Sequence, residues 1–146
     1  MTGLLDWLKS LYTVGVNDIN WMCAAHGEQL NFMNPLDLVC IIGNALDNAV
    51  EAVERIPDKK RQIINVKIAP VSNLVQILIE NTFDGKAKTT DGQLLTRKRD
   101  AQNHGFGVRS IRATTEKYGG YASTATEGDT FILNILIPIP DADKAV

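Results

Sequence analysis

The stretch that decides the fold is PLDLVCIIGNALDNAVEAVER, residues 35–55. Asn34 precedes it and Pro35 opens it, a pair typical of a helix start because Asn accepts a hydrogen bond from a free N–H and the fixed φ of proline suits the first turn. Pro57 cannot continue a helix and sets its end. The apolar residues recur at helical spacing: Leu38, Ile41, Ile42, Ala45, Leu46, Ala49, Ala52 and Val53. The sequence therefore predicts an amphipathic helix over residues 35–55.

Two amides interrupt this apolar helix. Asn44 and Asn48 lie one turn apart on one face, and Glu51 follows three residues later. A half-buried amide costs free energy unless it has a partner, so the pair indicates a polar cleft, although a surface position or a bond to a nearby loop would also satisfy it. Neutral oxygens suit Mg²⁺, which takes few protein ligands and keeps several waters.

The rest of the chain predicts one domain of the α+β class. We expect a two-layer sandwich in which a mixed, mainly antiparallel sheet carries helices on one face, because strands and helices cluster rather than alternate. The expected elements are an N-terminal helix or linker over residues 1–17, strands at 19–25, 29–32, 63–69, 74–81, 121–126 and 130–137, a helix at 108–118 stopped by Gly119 and Gly120, and a tail at 141–146.

Composition excludes several classes of protein. The 146 residues are 45% apolar and 22% charged with a net charge of −2, which is ordinary for a globular domain and does not favour nucleic acid as a partner. The apolar runs are shorter than the ~20 residues of a membrane span, and residues 1–9 do not resemble a secretion signal. Cys23 and Cys40 share no motif and are interpreted as free thiols. We expect a cytoplasmic location without membrane contact.

A polar, basic segment follows the strand at residues 74–81. The strand ends in ENTFDG, residues 80–85, and residues 84–104 contain almost no apolar periodicity, which predicts a functional loop or a wrong assignment. NHGFGV, residues 103–108, then opens the predicted helix, where glycine N–H groups and the helix dipole favour an anion. A dinucleotide fingerprint is excluded because no strand precedes these glycines and Ser110 replaces the third one.

The combination of these motifs resembles the GHKL ATPases. GNALDNAVEA, residues 43–52, and NHGFGVRSI, residues 103–111, are similar to the ATP-binding catalytic domain of bacterial sensor histidine kinases, and most similar to the peptide-pheromone receptor kinases of quorum sensing. The resemblance covers residues 18–140. It implies the GHKL (Bergerat) fold, ATP and Mg²⁺ as cofactors, and transfer of the γ-phosphate to a His on a separate phosphoacceptor helix domain. A response regulator is then an indirect partner, and the domain is the cytosolic part of a membrane-anchored receptor.

The resemblance also implies roles for single residues. Asn48 falls on the Mg²⁺ ligand, and Asn44 on the catalytic position that polarises the reacting group. Asn81 falls on an Asp that bonds the adenine amino group, and Thr130 lies in the last box of the pocket. Because an amide both donates and accepts, Asn81 predicts weaker discrimination of ATP from GTP than an Asp would give.

Further residues are implied around the phosphates. Residues 84–104 would be an ATP lid that is mobile without ligand. The implied nucleotide-binding residues there are Gly85 and the second glycine box with its hinge, His104, Gly105, Phe106, Gly107 and Val108, and the possible phosphate contacts are Lys86, Lys88 and Arg97. Phe83 and Asp129 depart from the family pattern, where a Gly and a Thr are usual.

Three other functions stay open: an ATP-hydrolysing clamp, an anti-sigma-factor-type serine kinase or binding module, and a nucleotide-binding remnant. Position 44 favours the histidine kinase over the first two. Hydrolysis and serine phosphorylation need a base at that position, and Asn44 is not one, whereas a neutral imidazole is nucleophilic near neutral pH. His26 and His104 lie in predicted turns, so the phosphorylated His is expected on another domain.

Overall fold

The structure, a computed structural model, describes residues 20–25, 30–84, 88–90, 93–95 and 98–140, with side chains at 20, 22, 30–84 and 107–140. Its helices are α1 (Pro35–Glu54) and α2 (Lys98–Lys117), and a 3₁₀ turn spans Lys59–Arg61. Its strands are β1 (Asn20–Ala25), β2 (Ile63–Val71), β3 (Leu74–Thr82), β4 (Lys88–Thr90), β5 (Gln93–Leu95), β6 (Tyr121–Glu127) and β7 (Thr130–Pro138). The α+β prediction is confirmed.

The main sheet has five strands in the order β1-β2-β3-β7-β6. β1 runs parallel to β2, and each other neighbouring pair is antiparallel, so the sheet is mixed and mainly antiparallel as predicted. β4 and β5 form a separate two-stranded ribbon. Thr82 at the end of β3 pairs with Thr130 at the start of β7. The end of β3 and the start of β7 therefore lie side by side at one end of the sheet.

The core lies between the helices and one face of the sheet. Alternate residues of β2, β3 and β7 are buried, including Ile64, Ile77 and Ile135, and they meet the apolar stripe of α1. Each such side chain contributes about 1.5–3 kcal/mol when it is fully buried. This packing fixes α1, which carries Asn44 and Asn48, against the sheet.

The predicted start of α1 is confirmed. The Asn34 side chain accepts a hydrogen bond from the Leu36 N–H at 2.8 Å, and Pro35 occupies the first turn. The helix ends at Glu54, one residue before the predicted limit, and Arg55 is its C-cap. The two asparagines are therefore held in the middle of a well-capped helix.

A polar cluster joins the start of α1 to the end of α2. The Tyr118 hydroxyl accepts from the Asn34 N–H at 3.0 Å and donates to Asp37, and Lys117 Nζ lies 2.9 Å from the same carboxylate. The bond from Tyr118, followed by the bond from Lys117, lowers the pKa of Asp37, and Asp37 in turn raises the pKa of Lys117. Because the start of one helix meets the end of the other, the two helices pack antiparallel.

Gly119 and Gly120 end α2 as predicted. Gly119 has a φ of 77°, a conformation that favours glycine. Its N–H donates to the Glu116 carbonyl at 2.9 Å, and the Gly120 N–H donates to the Thr115 carbonyl at 3.0 Å, the pattern of a Schellman motif. The chain then turns directly into β6.

Two sequence predictions of secondary structure are wrong. The predicted strand at 29–32 is a turn over its described residues, because Leu30 and Met33 are both buried and this three-residue spacing does not fit a strand, and the Met33 N–H donates to the Leu30 carbonyl at 3.0 Å. The helix predicted from Val108 begins ten residues earlier, at Lys98. Residues 98–102, KRDAQ, include the good helix formers Lys, Arg, Ala and Gln but form no apolar stripe, so periodicity alone misses them.

The predicted loop at 84–104 therefore contains the β4–β5 ribbon and the first turns of α2. The predicted N-terminal helix at 1–17, the tail at 141–146, and His26 lie outside the described residues.

Candidate functional site

Asn44 is held in a defined orientation on α1. Its Nδ2 donates to the Cys40 carbonyl at 2.7 Å, one turn earlier, and lies 3.6 Å from the Cys40 sulfur. The side chain is half-buried. Since a carbonyl only accepts hydrogen bonds, the nitrogen must face Cys40, and Oδ1 points to the other side of the amide.

Gly107 of α2 lies beside this oxygen. A Cβ placed on Gly107 would lie 3.6 Å from Asn44 Oδ1, which is ordinary van der Waals contact. Packing therefore does not require glycine at this position. A side chain there would nevertheless sit next to the Asn44 oxygen, and its absence leaves that oxygen approachable.

Asn48 lies one turn further along the same helix and is half-buried. No hydrogen bond joins its side chain to another described residue. Among the described residues, its amide oxygen therefore accepts no hydrogen bond, and its nitrogen, unlike the Nδ2 of Asn44, donates none.

Asn81 is a buried amide at the end of β3. It is only 3% exposed and lies on the face of the strand that carries Val75, Ile77 and Ile79. Its Nδ2 donates to the Thr82 carbonyl at 2.8 Å. Because Nδ2 is bonded to Thr82, Oδ1 is the atom of this amide that is left to accept a hydrogen bond from a ligand.

Several hydrogen bonds and a salt bridge stabilise the end of the sheet that carries Asn81. The Phe83 N–H donates to the Asp129 carbonyl at 2.8 Å, and Arg61 forms a 3.1 Å salt bridge with the Asp129 carboxylate. The Thr82 hydroxyl donates to the Arg61 carbonyl and accepts from the Ile63 N–H. The two departures from the family pattern, Phe83 and Asp129, are therefore neighbours in the structure that are joined through their backbone atoms.

Thr130 is a predicted site residue that lies at the same end of the sheet as Asn81. It begins β7, is half-buried, and pairs with Thr82, the residue after Asn81. Gly128, two residues earlier in the β6–β7 turn, has a φ of 61°, and no atom of the described residues lies within 4 Å of a Cβ placed on it. This left-handed backbone conformation favours glycine at position 128.

The other predicted residues are only partly placed. Gly85, Lys86 and Arg97 lie outside the described residues. Lys88 begins β4, and the half-buried Val108 follows Gly107 in α2. The structure includes the segment His104, Gly105, Phe106 and Gly107 in α2, so the prediction that these glycines form a helix N-terminus is wrong: inside a helix their N–H groups face carbonyls of the preceding turn.

Sequence reasoning missed two residues at Asn44, Cys40 and Thr114. The Cys40 sulfur lies 3.4 Å from the Thr114 hydroxyl, and Cys40 is a free, half-buried thiol. The four-residue spacing of Cys40 and Asn44 was a usable signal for the first contact. No local pattern connects Thr114 with α1, because 74 residues separate it from Cys40.

The donor set fits Mg²⁺ bound together with phosphates better than a protein metal cage. Within the part of the chain that the structure describes, no group of three or more His, Cys, Asp and Glu side chains could hold a metal ion. Mg²⁺ is usually bound by one or two protein oxygens together with water and substrate phosphates. The half-buried Asn48 amide carries a neutral oxygen of this chemical type.

Comparison with known proteins identifies the family. The sequence profile described as the GHKL domain matches residues 33–138. A sequence search of curated proteins finds no match. The fold is similar to the catalytic domain of the histidine kinase ThkA, with a TM-score of 0.71 at 17% identity over 96% of this chain and 94% of that one.

Two more solved structures share the fold. The mycobacterial sensor histidine kinase MprB matches with a TM-score of 0.67 at 14% identity, covering 94% of this chain and 95% of that one. Full-length ShkA in complex with AMPPNP matches with a TM-score of 0.65 at 18% identity, covering 96% of this chain but 30% of ShkA. This chain belongs to the GHKL family.

Among the described residues, no helix has the length and apolar character needed to cross a membrane.

Proposed function

We propose that this chain is the ATP-binding catalytic domain of a two-component sensor histidine kinase. It binds ATP with Mg²⁺ and presents the γ-phosphate to a His on a separate phosphoacceptor domain. The observation that carries the proposal is the amide of Asn44, whose nitrogen is bonded to Cys40 and whose oxygen lies beside Gly107. Such a group orients a nucleophile that is already reactive, and it does not remove a proton from water or Ser.

Different residues would bind the nucleotide with its Mg²⁺ and orient the acceptor His. Asn48 would hold Mg²⁺ through its amide oxygen, and Asn81 would accept a hydrogen bond from the adenine amino group. ATP supplies the phosphoryl group when it is bound. The imidazole nitrogen of the acceptor His attacks the γ-phosphorus, the bond to the β,γ-bridging oxygen breaks, and ADP leaves with the electron pair. Asn44 orients the attacking ring.

The segment around residues 84–104 is proposed as the ATP lid. Its basic residues Lys86, Lys88 and Arg97 would reach phosphate oxygens, and His104, Gly105, Phe106, Gly107 and Val108 would supply the hinge and the backbone donors. Because α2 uses the N–H groups of Gly105 and Gly107 internally, phosphate binding requires the first turns of this helix to rearrange. Gly85 and Thr130 would border the adenine site.

The finer assignment is a receptor kinase of the peptide-pheromone type, working in quorum sensing. The motif GNALDNAVEA, residues 43–52, supports it. In that case the domain acts on the cytoplasmic side of a membrane-anchored receptor, its direct partner is the phosphoacceptor helix pair, and a response regulator receives the phosphate afterwards.

The test uses labelled ATP and the 146-residue chain. We expect saturable Mg²⁺-dependent binding, no label on the chain itself, hydrolysis near background, and slow transfer to a separately supplied phosphoacceptor helix pair, since the tether that raises effective concentration is absent from the mixture. Acid-labile phosphate on the acceptor identifies phosphohistidine.

Other outcomes would replace the proposal. Rapid release of free phosphate would favour the clamp ATPase, and acid-stable label on a Ser substrate would favour the serine kinase. ATP binding without transfer to any acceptor helix pair would favour the nucleotide-binding remnant. A chain that binds no ATP would contradict the proposal entirely.

A further inference from the structure

We propose that Cys40 is a positioning residue that makes Asn44 a pure hydrogen-bond acceptor. The inference rests on the proposed function and concerns the same site. Cys40 itself touches neither nucleotide nor acceptor in this scheme; it acts through the amide of Asn44.

The first step of the argument is the number of donors on Asn44. An amide nitrogen carries two hydrogens. The Cys40 carbonyl lies 2.7 Å from Nδ2 and accepts one of them, and the Cys40 sulfur lies 3.6 Å from the same atom, within the range of hydrogen bonds to sulfur. One residue therefore uses both donors of Asn44, and only Oδ1 remains for a ligand.

The second step concerns what fixes the sulfur. Its distance of 3.4 Å from Thr114 Oγ1 places it between α1 and α2. Either the thiol or the Thr114 hydroxyl can be the donor of this contact, and in both cases it holds the sulfur in place. The thiol thus connects the orientation of Asn44 to the packing of the two helices, and Thr114 is the second member of the positioning pair.

The third step is the chemistry of an acceptor at this place. A neutral imidazole that attacks through one ring nitrogen carries a hydrogen on the other nitrogen. A fixed amide oxygen can accept that hydrogen and align the ring, whereas an amide free to turn would also present N–H groups to it. Since thiol bonds are weak, a loss of about tenfold or less in transfer rate is expected on removal of the sulfur, the equivalent of one ordinary hydrogen bond.

The experiment compares Cys40→Val, which is similar in size and has no hydrogen-bonding group, with Cys40→Ser, which keeps one. For Cys40→Val we expect ATP affinity within about twofold of the parent, transfer to the helix pair about tenfold slower, and exchange of the Asn44 side-chain amide hydrogens about tenfold faster by ¹⁵N NMR. Cys40→Ser should recover most of both effects. Val39→Ala, a neighbouring half-buried change on α1, controls for general loosening of the helix and should leave the exchange rate of Asn44 unaltered.

Combination with Asn44→Ala separates positioning from simple stability. Without the Asn44 amide, Cys40→Val should not slow transfer further, since neighbours that act through one group are not additive. A further loss in the double variant, or parent-like transfer and exchange in Cys40→Val, would overturn the inference.

A second variant keeps the test available if Cys40→Val does not fold. Thr114→Val removes the other partner of the sulfur and should slow transfer about twofold while it speeds amide exchange. Parent-like behaviour of this variant would again contradict the positioning role. Failure of ATP binding in the parent chain would reject the proposed function alone, because the exchange measurement needs no nucleotide.

Discussion

Asn44 and Asn48 show how the same residue takes different roles through its surroundings. The nitrogen of Asn44 is bonded within its own helix, whereas the Asn48 side chain is half-buried and has no hydrogen-bond partner among the described residues. The first amide is thereby fixed as an acceptor, and the second is free to meet a cation. This difference leads to a prediction for metal binding by Asn48, and the surroundings of Asn81 lead to one for base recognition.

Asn48→Ala should remove the contribution of Mg²⁺ to ATP binding. We expect parent-like affinity in EDTA and a gain on adding Mg²⁺ that is smaller by about tenfold, because one oxygen ligand is lost. Stability should not fall, since Ala is the better helix former by about 0.5 kcal/mol. Calorimetric titration with and without Mg²⁺ makes the measurement, and Asn73→Ala in the exposed β2–β3 turn is the control. An undiminished Mg²⁺ effect would contradict the assignment.

Asn81 should favour adenine over guanine. The sequence alone predicts weak discrimination, but the bond from Nδ2 to the Thr82 carbonyl orients the amide. We expect Oδ1 to face the base, where it suits the adenine amino group and repels the guanine carbonyl. We expect ATP to bind about tenfold more tightly than GTP. Asn81→Ala should bring the two affinities together, whereas Asn134→Ala, on the other face of the sheet, should leave their ratio unchanged. Equal affinities in the parent would restore the sequence-based expectation.

At the scale of elements, the junction of α2 with β6 depends on Gly120. A Cβ at this residue would lie 2.5 Å from the Leu136 carbonyl oxygen, too close for any real contact. Gly120→Ala should lower the free energy of unfolding by about 2–3 kcal/mol.

Gly43→Ala is the matched control for that substitution. Gly43 lies inside α1, and among the described residues a Cβ there meets only Val39, at 4.0 Å. Its replacement should therefore raise stability by about 0.5–1 kcal/mol. Urea denaturation of both variants gives the comparison. Similar effects of the two changes would contradict the steric reason.

The contact between α1 and α2 predicts a pH dependence of stability. Tyr118→Phe removes the largest cause of the lowered Asp37 pKa and the acceptor of the Asn34 N–H. Because the folded pKa lies below the ordinary carboxyl value of about 3.9, the interaction stabilises the protein above that pH and is lost as the pH falls through the folded pKa. At neutral pH we expect a melting temperature lower by about 2–5 °C.

Thermal melts between about pH 2 and 8 test this expectation. The difference between the parent and Tyr118→Phe should be constant above about pH 5 and shrink below about pH 4. An undiminished difference at the acid end would mean that Asp37 is not involved. Glu116→Gln, an exposed change in the same turn of α2, is the control and should alter the melting temperature little, as is usual for surface substitutions.

At the scale of the whole molecule, the elements that the sequence predicts well are those with both a pattern and a boundary signal. The helix predicted at 35–55 is found at Pro35–Glu54, where Asn34 and Pro35 mark the start. The strands predicted at 74–81 and 130–137 are found at Leu74–Thr82 and Thr130–Pro138, because alternate residues are buried. The α+β class followed from these elements.

The sequence fails where contacts join distant segments or where a helix has no buried stripe. Lys98 begins α2 without apolar periodicity, and the contact of Cys40 with Thr114 connects positions 74 residues apart. The orientation of Asn81 depends on a single hydrogen bond to its neighbour. Asn44, Asn48 and Asn81 could be named as candidates from motifs, but the hydrogen bonds of the Asn44 and Asn81 amides follow only from the three-dimensional structure.

The parallel pairing of β1 with β2 has a mechanical consequence. β1 and β7 run in the same direction, since β7 and β2 are both antiparallel to β3. Asn20 begins β1 at one end of the strands, and Pro138 ends β7 at the opposite end. Tension applied between these residues would slide the strands past one another and load many interstrand hydrogen bonds together, rather than unzip them singly. We therefore expect unfolding to require a larger force when the protein is pulled along its strands than when it is pulled across them.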